Sequence, residues 1–503
     1  MLISRRSFAG GLAAASMAPG KTFSADQRIL KIGLSGLPFE KGNAFSNFQT
    51  PGILLLGGIF DGLTRMTKQG AVEPWLATSW EAVNDLTWRF TLRDDVVFSN
   101  GKPFNADAVA HTVNYLTGDG PQTEGLRRDF RFLDGATVID ARTVDIKTKA
   151  PVPMFPRYAA VLLIVEPGAW QDMGVEQFSL TPVGTGPLMV QGWEPARAIT
   201  KRNPLSWRPL NVDGIDFMVI PDNAARIQAL LSGGLDVAYQ IAPEDFEIIE
   251  SIGGDVASVK DGAVYSVMLQ YGDNRETPLN DIRVRQALNY AIDKQTIVDV
   301  LLGGRTVVSS QPTVREAYGY DPSLVPYSYD LERAKSLMAD AGYPEGFDMS
   351  LLTSGGGTNA DLVVQRVADD LTRIGVRVDV QQRAVMRFLM DFIRGRIESD
   401  AFTLQWGSYP IVDSIQTTNI NSCRKVMAPW LCDPTIQPTI DAAWLETDPD
   451  LALDLRQEVM GHYREKSPSI LLYENIGFVG LGPRIQGFDQ TFGYISFETI
   501  RCD

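Results

Sequence analysis

Hydrophobic and polar residues alternate, or recur at helical spacing, along most of the chain. The run TWRFTL at residues 87–92 alternates like a half-buried strand, a second alternating run follows, and the pair Asn100-Gly101 then predicts a turn. Asn105 precedes a segment with apolar residues at every third or fourth position, so it predicts the cap of a helix. This region therefore predicts two strands, a turn and a capped helix.

The rest of the chain alternates between strand patterns and helix patterns. One helix is predicted from the cap Asp222 up to the glycines at 233 and 234, and another from the cap Asn359 to residue 375. The apolar sequence at residues 471–482 predicts short strands. Because the alternation occurs in two separated blocks, the sequence predicts two α/β lobes and an inserted piece.

Length and charge narrow the classes of protein to consider. At 503 residues the chain is too long for one ordinary domain. Its net charge is −15, and residues 1–25 hold three basic residues and no acidic one, so the remainder is more acidic still. Such a surface repels phosphate backbones, and we expect no nucleic-acid partner.

Residues 1–25 have the order of an export signal. Arg5 and Arg6 precede a mildly apolar run at residues 8–18, and small residues follow. The arginine pair resembles a twin-arginine signal, with a Sec signal that contains two arginines as the alternative. No cysteine follows the run to indicate a lipid anchor, and no later stretch of about 18 apolar residues predicts a transmembrane helix.

The cysteines leave two interpretations open. In an oxidising compartment Cys423 and Cys432 close a short disulfide loop and leave Cys502 unpaired; alternatively, they are free and buried. Their spacing matches no zinc pattern, and the two histidines, His111 and His462, lie in separate helical patterns. The sequence therefore predicts no metal site and no cofactor.

Three aspartates are the first candidates for acid/base chemistry. Asp94 and Asp95 lie at a corner between predicted strands, where aspartate favours turn geometry, and Asp107 lies in the first turn of a helix, where it complements the helix dipole. The chain also lacks the G-x-S-x-G, H-E-x-x-H and G-x-x-x-x-G-K-[ST] motifs. We expect structural roles for these aspartates and no catalytic residues, with a periplasmic hydrolase as a remote alternative.

Seven motifs in a fixed order give the chain a resemblance to a known family. Over nearly its full length it resembles the family 5 extracellular solute-binding proteins, the dipeptide-, oligopeptide- and nickel-binding receptors of ABC importers. The motifs are EPWLATSWEAVNDLTWRFTLRDDVVFSNGKPFNADAV, VGTGPLMVQGW, ALLSGGLDVAY with PEDF, NDIRVRQALNYAIDKQTIVDVLLGG, YSYDLERAKSLMADAGYP, VVQRVADDLTRIGVRVDV and CDPTIQPTIDAAW.

The resemblance implies an α/β fold of the two-lobed periplasmic binding protein type, class II-like and of cluster C, with an additional small inserted α/β domain. The implied parts are a signal peptide at 1–25, lobe I at 26–62 with 184–272 and 478–503, the inserted domain at 63–183, and lobe II at 273–477. Hinge closure of the lobes then encloses the solute.

The resemblance also points to a cleft loop, QWGSYPIVDS, as the place where ligand binds. It implies ligand contacts for Trp406, Tyr409 and Asp413. Dipeptide receptors resemble this segment but hold the ligand's amino group with an aspartate about three residues after the tryptophan, where this chain has Tyr409. They also use an upstream arginine for the carboxylate, where this chain has the sequence SGGG at 354–357. Nickel receptors have a tyrosine in the loop, but the histidine expected for a nickel complex is missing.

Two more candidate ligand contacts lie outside that loop. Arg128, with Arg127 and Arg131 beside it, is positioned for an anionic group, and Phe48 follows the first strand at a place where the family often contacts ligand. Solvated surface arginines and ordinary lobe packing are the alternative interpretations.

The expected function is that of an exported periplasmic receptor, acting as a monomer. It captures a peptide-like, opine-like or related small organic solute, such as a sugar conjugate, and delivers it to the permease subunits of an ABC importer. A receptor for a nickel complex or another metal chelate is the alternative.

Overall fold

The computed structural model describes residues 28–46, 52–119, 124–272, 275–355, 357–420, 423, 430 and 432–502. The described strands are β1 (Ile29–Leu34), β2 (Thr64–Met66), β3 (Val72–Pro74), β4 (Ala77–Asn84), β5 (Thr87–Leu92), β6 (Leu133–Asp140), β7 (Thr143–Thr148), β8 (Leu188–Glu194), β9 (Arg197–Arg202), β10 (Gly214–Val219), β11 (Val237–Tyr239), β12 (Asp255–Leu269), β13 (Asp348–Thr353), β14 (Arg377–Gln382), β15 (Ala401–Gly407), β16 (Ser469–Leu481), β17 (Ile485–Gln486), β18 (Gln490–Thr491), β19 (Tyr494–Ile495) and β20 (Arg501–Cys502).

The helices of the described chain pack on both sides of these strands and around them. They are α1 (Gly52–Ile59), α2 (Ala106–Thr117), α3 (Gly125–Asp129), α4 (Phe155–Tyr158), α5 (Pro167–Leu180), α6 (Asn223–Leu231), α7 (Phe246–Ser251), α8 (Ile282–Ala291), α9 (Lys294–Thr296), α10 (Leu331–Asp340), α11 (Ala360–Thr372), α12 (Val385–Ile393), α13 (Gln416–Ile420), α14 (Gln437–Leu445) and α15 (Pro449–Lys466). Short 3₁₀ turns cover Pro243–Asp245 and Pro278–Asn280, and a π-helical turn covers Ile297–Leu301.

The largest sheet joins strands from both predicted lobes. Its order within the described chain is β14-β13-β15-β12-β16-β11-β1-β10-β9-β8. The two longest strands, β12 and β16, lie side by side near its middle and run antiparallel. The predicted boundaries of the lobes stay a prediction, but this sheet shows that β12 and β16 connect the strands on the two sides.

A second sheet lies within residues 77–148. Its antiparallel order is β4-β5-β7-β6, and α2 packs across β6 and β7. Its buried Phe90 and Ile146 belong to the same hydrophobic cluster as Phe217 of the large sheet. The smaller sheet is therefore packed firmly against the larger one, because burial of shared apolar surface stabilises both.

Several predicted elements are confirmed, and three are corrected. The second strand predicted before Asn100 is not formed in the described chain, which has only an isolated bridge between Val97 and Pro103 there. The Asn105 side chain accepts a hydrogen bond from the Ala108 amide and caps α2, and Asp222 caps α6 in the same way. Asn359 does not cap α11: its backbone is left-handed with φ of 53°, and its side-chain nitrogen donates to the Leu301 carbonyl. The short strands expected after residue 470 form one strand of 13 residues, β16.

Cys423 and Cys432 are joined in a disulfide, which decides between the two interpretations of the sequence, and Cys502 is a buried cysteine outside it. In the described part of the chain, no helix is both long enough and apolar enough to cross a membrane.

Candidate ligand-binding site

The pairing of β12 with β16 is interrupted at the centre of the large sheet. Residues 255–260 pair with 476–481, and residues 264–268 pair with 469–474, but residues 261–263 bulge out of the ladder. Gly262 in this bulge has φ of 72°, a conformation that a side chain makes costly. The second half of β12 then pairs with β15. The bulge therefore marks the point where β12, still paired with β16, gains β15 as a second neighbour.

A cavity of about 560 Å³ opens at this bulge. Four short segments from different elements line it, at residues 239–242, 259–261, 357–359 and 475–479. They follow β11, lie in β12, precede α11 and lie in β16. Because they come from both sides of the large sheet, a molecule held here contacts strands of both predicted lobes.

Asp261 and Asn475 form the polar centre of the cavity. The Asn475 side-chain amide donates to an Asp261 carboxylate oxygen at 2.6 Å, and the Ala263 amide donates to the other oxygen at 3.2 Å. Asp261 is exposed to the cavity, and desolvation by the surrounding protein raises its pKa above the ordinary value. The same desolvation raises the pKa of Tyr473 nearby.

Trp406 lies in the hydrophobic core beneath the loop predicted to bind ligand. Its side chain is fully buried, and the indole N–H donates to the Ser266 hydroxyl at 2.9 Å. Its ring meets Tyr463 edge to face at 5.9 Å between centroids. In this structure Trp406 supports the start of the loop from inside and is not among the residues that line the cavity.

Tyr409 is half-buried and lies next to Tyr494. Burial and this neighbouring phenol raise its pKa well above the ordinary value. Among the described residues its hydroxyl has no hydrogen-bond partner, while its carbonyl accepts a bond from Gln416 at 3.0 Å. Its hydroxyl is buried and lies beside the phenol of Tyr494.

Asp413 is engaged in a buried ion pair with Arg456. Both side chains are almost completely inaccessible, and Arg456 Nη2 lies 2.9 Å from an Asp413 carboxylate oxygen. Arg456 Nε approaches both carboxylate oxygens, and the Ile415 amide donates to one of them at 3.1 Å. The Asp413 carboxylate is therefore occupied in this structure, and a ligand would have to displace Arg456 to reach it.

Two candidate ligand contacts, Phe48 and Arg128, lie outside the loop. Phe48 lies outside the described residues, and for Arg128 the structure describes only the backbone, within α3. The neighbouring Arg127 is buried: its guanidinium donates to the Leu116 and Gly118 carbonyls and pairs with Glu124. Arg127 thus holds the end of α2 in place, and the ligand roles of Phe48 and Arg128 stay predictions.

The acidic residues first considered for catalysis have structural partners. Asp94 pairs with Arg142 at 2.7 Å, and Asp95 pairs with Arg93 at 2.8 Å on the protein surface. Asp107 accepts a bond from the side chain of Asn105 at the start of α2. These contacts agree with the structural roles expected from their turn and helix positions.

The sequence reasoning missed Asp261 and Asn475. One signal was present: the pair Asp261-Gly262 interrupts an otherwise continuous strand pattern, and a glycine there indicates a bulge or a close backbone approach. No local signal marks Asn475, which comes from a strand more than 200 positions away along the chain. Only the fold brings the two together.

Comparison with known proteins places this geometry in a family. The family model for bacterial extracellular solute-binding proteins, family 5 (Middle), matches residues 71–426. The glutathione-binding protein GsiB of Pectobacterium atrosepticum is 28% identical over 392 residues, which cover 76% of this chain and 74% of GsiB.

Two solved structures share the fold. DppA from Helicobacter pylori, a periplasmic binding protein in complex with the peptide STSA, has a TM-score of 0.75 at 19% identity and covers 95% of this chain and 98% of its own. NikA from Brucella suis in complex with Fe(III)-EDTA has a TM-score of 0.80 at 22% identity and covers 94% of this chain and 100% of its own. The predicted fold class, a two-lobed α/β binding protein, is confirmed. The chain belongs to the family 5 bacterial extracellular solute-binding proteins.

Proposed function

We propose that this protein is the receptor of an ABC importer and that it captures a peptide-like or opine-like organic solute in the cavity between β12 and β16. The observation that carries this proposal is the position of the cavity at the centre of the sheet that joins the two predicted lobes. Ligand bound there gains contacts from both sides at once, so its binding energy favours a closed arrangement.

The chemistry of the cavity wall supports a polar organic solute. The polar residues Asn223, Gln240 and Asn359 line it, together with residues of β16 and the apolar Ile241. A few fixed polar groups on a partly apolar wall are typical of sites for small molecules. The name of GsiB, a glutathione-binding protein, and the peptide bound to DppA agree with a peptide-like ligand.

Export and delivery belong to the same proposal. We place the protein in the periplasm as a monomer that delivers its solute to the permease subunits of the importer. Residues 1–25, outside the described part of the chain, would act as the signal peptide. The paired arginines Arg5 and Arg6 support the twin-arginine route.

A thermal-shift titration tests the proposed function. Reduced glutathione and a pool of di- to tetrapeptides serve as probes, with the amount of each probe measured before and after incubation. We expect at least one solute to raise Tm in a saturable manner, since ligand at a hundredfold excess over Kd stabilises the folded state by about 2.7 kcal/mol. We also expect every probe to be recovered unchanged.

Steady consumption of a probe by the pure protein would show an enzyme instead of a receptor. A Tm that no member of the pool changes would contradict the peptide-like ligand, and a shift produced only by a nickel chelate would favour the metal-chelate alternative.

A further inference from the structure

Two hydrogen-bond acceptors with open capacity, on Asp261 and Asn475, lie side by side at the bulge of β12. The Asp261 carboxylate receives two hydrogen bonds from protein, from Asn475 and from the Ala263 amide, although a carboxylate accepts about four. Among the described residues, no lysine or arginine lies within ion-pairing distance of it. The negative charge of Asp261 is therefore only partly compensated by the protein.

Asn475 adds a second open acceptor beside the first. The residue is 6% exposed, its side-chain nitrogen is used by Asp261, and its side-chain oxygen has no partner within the described chain. Because a buried amide oxygen without a donor is unfavourable, this atom needs a donor from outside the protein. Asn475 lines the cavity, so a bound solute can supply that donor.

Several donors on the cavity wall are already committed to other protein groups. The Thr358 hydroxyl donates to the Ile476 carbonyl, and the Asn359 amide donates to the Leu301 carbonyl. The Tyr239 hydroxyl donates to Gln490 at 2.6 Å. Lys260, the nearest basic residue in sequence, is paired with Glu316. These donors are therefore already used within the protein, whereas the oxygens of Asp261 and Asn475 can accept further hydrogen bonds.

Gly357 keeps the space in front of these acceptors open. A Cβ at this position would lie 3.5 Å from the Asn475 side-chain oxygen and 3.4 Å from the ring of Tyr265. Any larger side chain at 357 would cover the oxygen from the side of α11. A small ligand group can therefore approach Asn475 and Asp261 together.

The electrostatic surroundings favour a positively charged group. Desolvation by the surrounding protein raises the pKa of Asp261 and so disfavours its charged form. The other titratable groups that line the cavity are Tyr239, which is neutral with a raised pKa, and Lys260, whose ammonium is held by Glu316. Tyr473, also neutral with a raised pKa, lies near Asp261 without lining the cavity. A cation next to Asp261 would restore the lost stabilisation.

We infer that Asp261 and Asn475 form a subsite for a protonated amino group of the bound solute. An ammonium donates three hydrogen bonds and carries the charge that Asp261 lacks, so it matches both open acceptors. This inference rests on the proposed function, and it narrows the ligand to solutes that carry a cationic nitrogen, such as peptides with a free amino terminus.

The test compares two probe pools on three forms of the protein. Wild type, Asp261→Asn and Asp255→Asn are each incubated with a pool of di- to tetrapeptides and with the same pool after N-acetylation. Protein is separated by gel filtration, and the retained solute is released and quantified by mass spectrometry. Asp255→Asn is the matched control, because Asp255 is an exposed aspartate at the start of the same strand and does not line the cavity.

We expect wild type and Asp255→Asn to retain the same free peptides, and retention to fall on acetylation. Loss of one charge-assisted hydrogen bond predicts that affinity for the retained peptide falls about ten- to a hundredfold in Asp261→Asn. Its Tm without ligand should fall only slightly, since asparagine fills the same volume and keeps one oxygen to accept from Asn475 or from the Ala263 amide.

Three results would overturn the inference in distinguishable ways. Equal retention of free and acetylated peptides by wild type would show that no ammonium group is recognised. Unchanged affinity in Asp261→Asn would show that Asp261 does not bind the solute. Both results leave the proposed receptor function intact. If wild type retains nothing from either pool, the proposed ligand class fails and this inference fails with it. The acetylation comparison uses wild type alone, so it decides the matter even if Asp261→Asn does not fold.

Discussion

Asp413 and Arg456 form an ion pair from which water is excluded, whereas Asp261 faces a cavity that water can enter. The sequence offered both aspartates, and their chemistry differs because of what surrounds them. Arg456 balances the charge of Asp413 within the protein, so that pair has a structural role. Asp261 has no such partner among the described residues, which leaves its carboxylate available for a ligand.

Replacing Asp413 by alanine should cost much stability, because Arg456 would keep its charge in a buried place without a partner. We expect Asp413→Ala to lower the free energy of unfolding by about 3–5 kcal/mol, as measured by urea denaturation. Asp94→Ala is the control: Asp94 and Arg142 are well exposed, and loss of their pair should cost at most about 1 kcal/mol.

An Asp413→Ala protein as stable as Asp94→Ala would refute the structural role of this ion pair. If that variant also lost affinity for solute, Asp413 would be a ligand contact, as the sequence resemblance implied.

At the scale of elements, the bulge of β12 determines where Asp261 points. Gly262 adopts a positive φ there, and a Cβ at this position would lie 3.4 Å from the hydroxyl of Ser408. That hydroxyl donates a hydrogen bond to the Gly262 carbonyl. The bulge is thus fixed from two directions, by its own backbone geometry and by the loop that follows β15.

Gly262→Ala should therefore be destabilising by about 1–2 kcal/mol, because an L-residue is strained in the left-handed region. The same variant should bind solute more weakly, since the adjacent Asp261 would move with the backbone. Gly192→Ala on β8 is the matched control, as it has free space around its Cβ and should change stability by less than about 0.5 kcal/mol. Equal urea midpoints for the two variants would contradict the strain at the bulge.

Local signals in the sequence predicted many elements, whereas the ligand contacts proposed from it stay predictions. Asn105 and Asp222 were identified as helix caps, since capping depends on atoms three residues away. Asn359 has the same appearance in sequence, but its backbone is left-handed and its side chain is turned to the Leu301 carbonyl. Local spacing does not reveal a partner that lies 58 positions away.

The site depends on such distant pairings almost entirely. The loop at 406–413 was singled out by family resemblance, and in the structure Trp406 and Asp413 are buried within the protein. The cavity instead combines a bulge in β12, the turn before α11 and the middle of β16, which meet only after the sheet has formed. The hydrophobic pattern of a single strand does not show which distant segments will lie beside it.

At the scale of the whole molecule, the large sheet explains how a receptor of this family can hold its solute. β12 and β16 are the strands through which the two sides of the sheet are connected, and their ladder is interrupted at the cavity. A break in a ladder is a place where strands bend most easily. Closure about this point would bring residues from both sides onto the solute.

The central claim is that an organic solute with a cationic nitrogen occupies the cavity at the bulge of β12. Native mass spectrometry of the full-length protein, purified from its host without added ligand, tests it most directly. We predict a single retained organic solute in one-to-one ratio with the protein, carrying a free amino group and released on unfolding. A stoichiometric metal complex in its place, or a solute without a basic nitrogen, would contradict the account.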